Sequence, residues 1–237
     1  LLTKSASAMD TPESKTIEVK EDRTFKLNLT LPPSQQFELK IGVLDLPLYL
    51  EPGDSLIVSL ENVSDQLVVK YDGKGSANNT FLFQYSMFEK KLAYGDLESA
   101  LQNKDGKAYW DAVQKLNKIK QGYFEQYMER SKKPLSNGFR SFMDNEINYK
   151  LADWLLAFYN HYRSVIRLKV VDVPAEYISY LEELTLGDDD AITSASYQSA
   201  LLNWVNFKNP ETYGSFIEDE LKKFADRYKI AEDELSG

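Results

Sequence analysis

Apolar and polar positions alternate through the N-terminal part of the chain. In "KTIEVK" Ile17 and Val19 share a face, and in "TFKLNLTL" Phe25, Leu27, Leu29 and Leu31 share one while Thr24, Lys26, Asn28 and Thr30 take the other. A period of two marks a half-buried strand, so both stretches are expected to be strands, with the short polar "EDRT" as the hairpin loop between them. The prolines of "PPSQ" end the second stretch because proline has no ladder donor to offer. Phe37, Leu39 and Ile41 continue the alternation, and "LPLYLEPGDSLIVSLE" places two strands around Glu51-Pro52-Gly53-Asp54. Proline holds φ at about −65° and glycine accepts a positive φ, which predicts a tight type I or II turn there. Leu56, Val58 and Leu60, then Leu67, Val69 and Tyr71, supply the last two strands. Connections this short require antiparallel pairing, so residues 14–71 read as a small β-sandwich-like sheet.

The period changes after Gly75. Phe81, Tyr85, Phe88 and Leu92 recur at helical spacing, with Ser76 or Asn78 available as the cap. "DGKGSANNTFLF" superficially resembles a phosphate loop, but Val68 stands where that motif needs its first glycine and Gly75 where it needs a hydroxyl. The stretch is therefore expected to be a strand-to-helix hinge, with Gly73 and Gly75 permitting the turn and Asn79 among the residues that satisfy the first helical N–H groups. Two longer stripes follow: Tyr109, Val113, Leu116, Tyr123 and Tyr127, then Phe139, Met143, Ile147, Trp154, Phe158 and Tyr162. Pro174 opens a further helix, and others are expected over 191–207 and 215–228. The expected class is α+β: an N-terminal antiparallel β-sandwich-like domain over residues 1–75, then an all-α helical domain over 76–237.

Composition narrows the function. The 237 residues carry 28 Lys+Arg against 37 Asp+Glu, a net charge of −9, which disfavours nucleic acid as a partner because phosphate binding needs an excess of cations. Cysteine is absent, so disulfides, thiolate nucleophiles and thiolate-held metals are excluded for this chain. No apolar run reaches membrane-span length. The chain starts at Leu1 without methionine, so an upstream segment that was processed or left out is expected; "ASA" at Ala6–Ala8 is similar to a signal-cleavage site, but Lys4 and the lack of an apolar core before it count against that reading.

No catalytic constellation stands out. His161 is the one histidine, so a Ser-His-Asp triad would have to run through it; amid aromatic residues it reads first as a packing or surface residue. Asp188, Asp189 and Asp190 lack the spacing of a calcium loop and read as a loop leading into the next helix, whose N-terminal end favours acidic side chains. No metal or other cofactor is expected. Tyr149, Trp154, Tyr159, Tyr162, Tyr177 and Tyr180 are the candidate ligand-binding residues, because Tyr and Trp combine a large contact area with a polar tip; at helical spacing they also serve as core. Pro52, Gly53, Asp54, Gly73, Gly75 and Asn79 are assigned to turn and hinge structure.

Two stretches carry a resemblance. "LYLEPGDSL" and "GKGSANNTFL" resemble a turn and a strand-to-helix junction in the N-terminal, non-catalytic region of TlpA-like thiol-disulfide oxidoreductases of the Bacteroidetes. "VPAEYISYLEEL" and "SASYQSALLNW" are similar to that family's helical insert, so the resemblance spans roughly residues 15–207. It implies a periplasmic location, commonly as a lipoprotein with its anchor upstream, and a C-terminal thioredoxin-like domain holding the reactive Cys-x-x-Cys pair. The end of this sequence at "EDELSG", just after a helical stretch, is expected to be where such a domain would follow. The expected function is an accessory module that positions or recognises substrate proteins for that tethered domain. The alternative is a stand-alone envelope binding protein for a peptide or glycan through an aromatic groove, and a hydrolase acting through His161 is a third class.

Overall fold

The computed structural model describes residues 2–4, 14–22, 24–30, 35–63, 66–165, 172–184, 186–187 and 191–209. Among these residues six strands precede six helices: β1 (Leu2–Lys4), β2 (Ser14–Lys15), β3 (Gln35–Ile41), β4 (Leu44–Leu50), β5 (Ser55–Val63), β6 (Gln66–Lys74), α1 (Ser76–Glu89), α2 (Gly95–Gln102), α3 (Gly106–Arg130), α4 (Asn137–Asn160), α5 (Ala175–Glu183) and α6 (Ala195–Lys208). The expected α+β class, antiparallel sheet first and helices after, is what the chain adopts. A π-helical turn, His161–Val165, continues α4. Among the described residues no helix is long and apolar enough to cross a membrane.

Contacts between Cα positions group the chain into two units. The first comprises Leu1–Tyr94, Leu116–Tyr149 and Gly187–Gln198; the second comprises Gly95–Lys115, Lys150–Leu186 and Ser199–Gly237.

In the first unit, four strands form one sheet in the order β2-β1-β3-β4, and β5 and β6 form another. All of these pairings are antiparallel. The register places apolar residues opposite one another, Phe37 against Leu48 and Leu39 against Leu46, so one-residue slippage would turn this set to solvent. These four join Leu2 and Tyr71 in a core against which Leu56, Val58, Val69, Phe25 and Leu27 pack, drawing apolar faces of both sheets together. β4 is buried on both faces near Leu48 and Tyr49, because Tyr49 belongs to a second core with Phe81, Leu82, Tyr85, Phe124, Phe139 and Phe142.

Phe81 is the hub of that second core. It is wholly buried, and its ring centroid lies 4.6 Å from Tyr127, 5.3 Å from Phe124, 5.6 Å from Tyr85 and 5.9 Å from Phe139. Tilted and edge-on aromatic pairs at such distances add to the hydrophobic gain of burial.

In the second unit, Tyr109 of α3 stacks on Phe158 of α4 at 4.2 Å, and Phe158 contacts Tyr162 at 4.6 Å and Tyr177 of α5 at 6.3 Å. Asp153, buried on α4, accepts from Ser199 Oγ at 2.6 Å, Asn203 Nδ2 at 2.9 Å and Lys150 Nζ at 3.1 Å. A buried carboxylate is tolerated when its lone pairs are taken up in this way.

The structure differs from the sequence reading in three places. Lys20 N–H donates to Thr24 O at 2.9 Å, as a turn between the two stretches requires, but residues 16–19 and 24–30 join no ladder. Their alternation reports which side chains face the core, Phe25 and Leu27 being half-buried there, and carries no information about a pairing edge. α1 has Gly75 as its N-cap with no side-chain hydrogen bond, so neither Ser76 nor Asn78 caps it. α6 begins at Ala195, where Ser194 Oγ accepts from Tyr197 N–H at 3.0 Å. The Asp188–Asp190 run and the helix expected over 215–228 lie outside the described residues.

Phe81→Ala is expected to destabilise the first unit by about 3–5 kcal/mol, the range for truncating a buried aromatic, and Phe81→Leu by clearly less. Urea unfolding followed by helical circular dichroism of the two variants measures the difference.

Candidate functional site

The residues that carry chemistry in the first unit converge where the "EPGD" turn meets the "GKGSANN" junction. Asp54 N–H donates to Glu51 O at 3.0 Å, closing the turn, and the positive φ of Gly53, 81°, is the type II geometry expected for a Pro-Gly pair. The Asp54 carboxylate accepts from Glu51 N–H at 2.9 Å. It also lies under Gly75, where an added Cβ would meet Asp54 Oδ2 at 2.7 Å. Gly73 is constrained more severely, since a Cβ there would lie 2.0 Å from the carbonyl oxygen of Ser55. Both glycines have φ above 80°, which other L-residues adopt only at a cost.

Asn79 is fully buried and makes three hydrogen bonds, each 2.8 Å long. Its Oδ1 accepts from Tyr49 N–H, while its Nδ2 donates to Tyr49 O and to Gly75 O. Among the described residues β4 is the outer strand of its sheet, paired with β3. The carboxamide is the side-chain counterpart of a peptide group, so Asn79 takes the place that a neighbouring strand would have beside Tyr49.

Asn78 does the corresponding work for α4. Its Oδ1 accepts from Ser136 N–H at 3.1 Å and its Nδ2 donates to Ser136 Oγ at 3.0 Å, while Ser136 Oγ caps α4 by accepting from Phe139 N–H at 3.1 Å. Two consecutive asparagines thus hold β4, α1 and α4 to one point. Asn78, Asn79 and the turn residues were legible as structural positions; the partners Ser136 and Tyr49 were not.

Other polar groups of this unit are also engaged. Buried Lys120 donates to Glu89 at 2.6 Å, and Glu146 accepts from Ser196 Oγ at 2.8 Å in the first turn of α6. Burial, then the nearby Glu89 and Glu146 carboxylates and Tyr94, push the Tyr85 hydroxyl far up from its usual range, so it stays neutral at physiological pH.

The six candidate aromatic residues fall in both units. In the first, Tyr149 sits edge-on to Tyr197 at 4.7 Å. In the second, Tyr177 is fully buried and its hydroxyl donates to Leu155 O; buried Tyr162 donates to Leu101 O. Tyr159 lies 6.5 Å from Tyr177, and Trp110, which the sequence reading did not single out, bridges Tyr177 at 5.6 Å and Tyr180 at 6.1 Å. Trp154 is half-buried with Lys150 Nζ 5.7 Å from its ring centroid. The structure therefore brings Tyr159, Tyr177 and Tyr180 into one chain of ring contacts, Tyr159 through Tyr177 and Tyr180 through Trp110, with Tyr177 as its interior member. Burial raises the Tyr177 and Tyr109 hydroxyls well above their ordinary range, which suits them to donate and not to act as bases.

His161 is exposed, with its ring edge-on to Tyr162 at 5.1 Å, and among the described residues no hydroxyl or carboxylate is hydrogen-bonded to it. Among the described residues no three His, Cys, Asp or Glu side chains gather as a metal site would require. Compared with known proteins, the chain matches no family model, no curated protein and no solved structure.

Asn79→Ala removes the side-chain hydrogen bonds to Tyr49 N–H and O inside the core and is expected to cost about 3 kcal/mol or more, since each buried hydrogen bond lost without replacement costs about 1–3 kcal/mol. Asn79→Asp is expected to cost more near neutral pH, because a carboxylate faces two carbonyl oxygens and cannot donate. Protonation restores one donor, so the folded-state pKa is raised and the gap between the two variants narrows as pH falls. Denaturant midpoints across pH check both statements.

Gly53→Ala is expected to cost about 1 kcal/mol, the strain of its φ alone, as a Cβ there has only the mobile Lys74 Nζ at 3.3 Å. Gly73→Ala is expected to cost clearly more because backbone must move. Equal losses in thermal unfolding would contradict the ordering.

Proposed function

We propose that the chain is a non-catalytic accessory and recognition module of a TlpA-like thiol-disulfide oxidoreductase of the cell envelope, whose thioredoxin-like domain lies outside this chain. The supporting observation is the joint described above. The two stretches on which the resemblance rests, 48–56 and 73–82, interlock through Asn79 with Tyr49 and through Asp54 beneath Gly75. Their co-occurrence thus has a physical reason: each is incomplete without the other.

The reading also fits the chemistry of the chain. With no cysteine it supplies neither the nucleophilic thiolate nor the resolving thiol of dithiol exchange, so redox work falls to a tethered partner domain. The module would then contribute position and recognition, raising the effective concentration of substrate protein near the dithiol.

The native product in its source cells is expected to have a mass well above 27.2 kDa and to carry a pair of reactive thiols, while the isolated chain leaves insulin disulfides intact. A native mass near 27.2 kDa without thiols would overturn the reading in favour of an independent binding protein. Insulin reduction by the isolated chain would overturn it outright. Intact-mass measurement with thiol labelling of immunoprecipitated protein distinguishes these results.

A further inference from the structure

β5 is paired along one side only, with β6, and among the described residues its other edge carries no ladder. A cleft of about 1290 Å³ runs beside it. Its walls include the six consecutive residues Ser55–Leu60 and, separately, the six consecutive residues Thr24–Leu29. A strand that turned one face to a cleft would line it with alternate residues; consecutive residues mean that the strand's edge borders it. The open edge of β5 and a second extended stretch therefore border one cleft, which Leu2, Leu39 and Leu48 of the first sheet also line.

That second stretch has the pattern of a strand without the bonds of one. Phe25 and Leu27 are half-buried against the core that Leu56 and Val58 also pack on, while Thr24, Lys26 and Asn28 are exposed. Its leading turn is already set: Thr24 N–H and Oγ1 both donate to Asp22 Oδ1, at 3.0 and 2.6 Å, and Lys20 N–H donates to Thr24 O. Leu29, 37 % exposed, shares the face of Phe25 and Leu27 and borders the cleft as apolar surface that closure would bring to the core side.

We propose that Thr24–Thr30 is a strap that pairs with the free edge of β5, turning the two-stranded sheet into a three-stranded one. An open edge is a template for association with other chains, and a strap that closes over it guards the edge while leaving it able to open. Closure keeps Phe25 and Leu27 on the core side with Leu56 and Val58. It puts Lys26 on the outer side with Ser55, Ile57 and Ser59. The inference is independent of the proposed redox partner.

The absence of cysteine makes the test direct. Lys26→Cys is combined in turn with Ser55→Cys, Ile57→Cys and Ser59→Cys in the full chain, with Lys26→Cys plus Lys70→Cys as the control. A disulfide needs Cα atoms within about 4.4–6.8 Å, which same-face neighbours on paired strands satisfy. The expected result is that one of the three pairs forms an intramolecular bond in most molecules under mild oxidation and the control does not. A second readout is amide exchange: oxidising the pair that cross-links is expected to slow exchange of edge-facing β5 amides by about fivefold relative to its reduced form, the worth of one hydrogen bond. Failure of all three pairs to exceed the control, or cross-links formed only between molecules, overturns the proposal.

Discussion

The first unit depends on one buried carboxamide. Among the described residues Tyr49 lies in the outer strand of its sheet, and its backbone N–H and C=O on the side away from β3 face a dry core. Asn79 answers both at once, at 2.8 Å each, and its second amide hydrogen ties the same group to Gly75 O at the start of α1. No other side chain except glutamine offers a donor and an acceptor in that relation, and glutamine is longer by a methylene. The edge of a sheet is thereby closed by the helix that follows it, and the aromatic core around Phe81 is assembled on the far side of that closure.

The neighbouring features follow from this constraint. For Asn79 to reach Tyr49, the chain must leave β6 and enter α1 abruptly, which the positive φ of Gly73 and Gly75 allows and the close approach of Ser55 O and the Asp54 carboxylate demands. Once α1 is set, Asn78 is carried to Ser136, and the cap of α4 is fixed from outside its own sequence. A turn, a junction and a helix start distant along the chain thus become one hydrogen-bonded joint. This is a structural role, and it accounts for those polar residues without recourse to a ligand.

The sequence made part of this legible. Period-two and helical spacing located the sheet region, the main helices and the turn at Pro52-Gly53, because those depend on local chemistry. Hinge glycines were visible for the same reason. The roles of Asn78 and Asn79 were not, since a carboxamide reads locally as a cap, and its true partners lie 58 and 30 residues away. Likewise Phe25 and Leu27 showed which way they face but not that their stretch lacks a ladder. Among the aromatic candidates, spacing identified Tyr177 and Tyr162 as residues on helices; only the packing shows that both are interior, with hydroxyls committed to backbone carbonyls. Trp110, which joins Tyr177 to Tyr180, sits in a stretch whose apolar stripe seemed complete without it.

The most direct test of the joint is native-state hydrogen exchange at the Tyr49 amide, compared with the amides of Phe81 and Leu82 in α1. If Asn79 makes β4 and α1 one cooperative block, the three amides exchange with the same opening free energy and the same denaturant dependence. Exchange at Tyr49 through a small local opening, while Phe81 and Leu82 remain protected, would contradict the account.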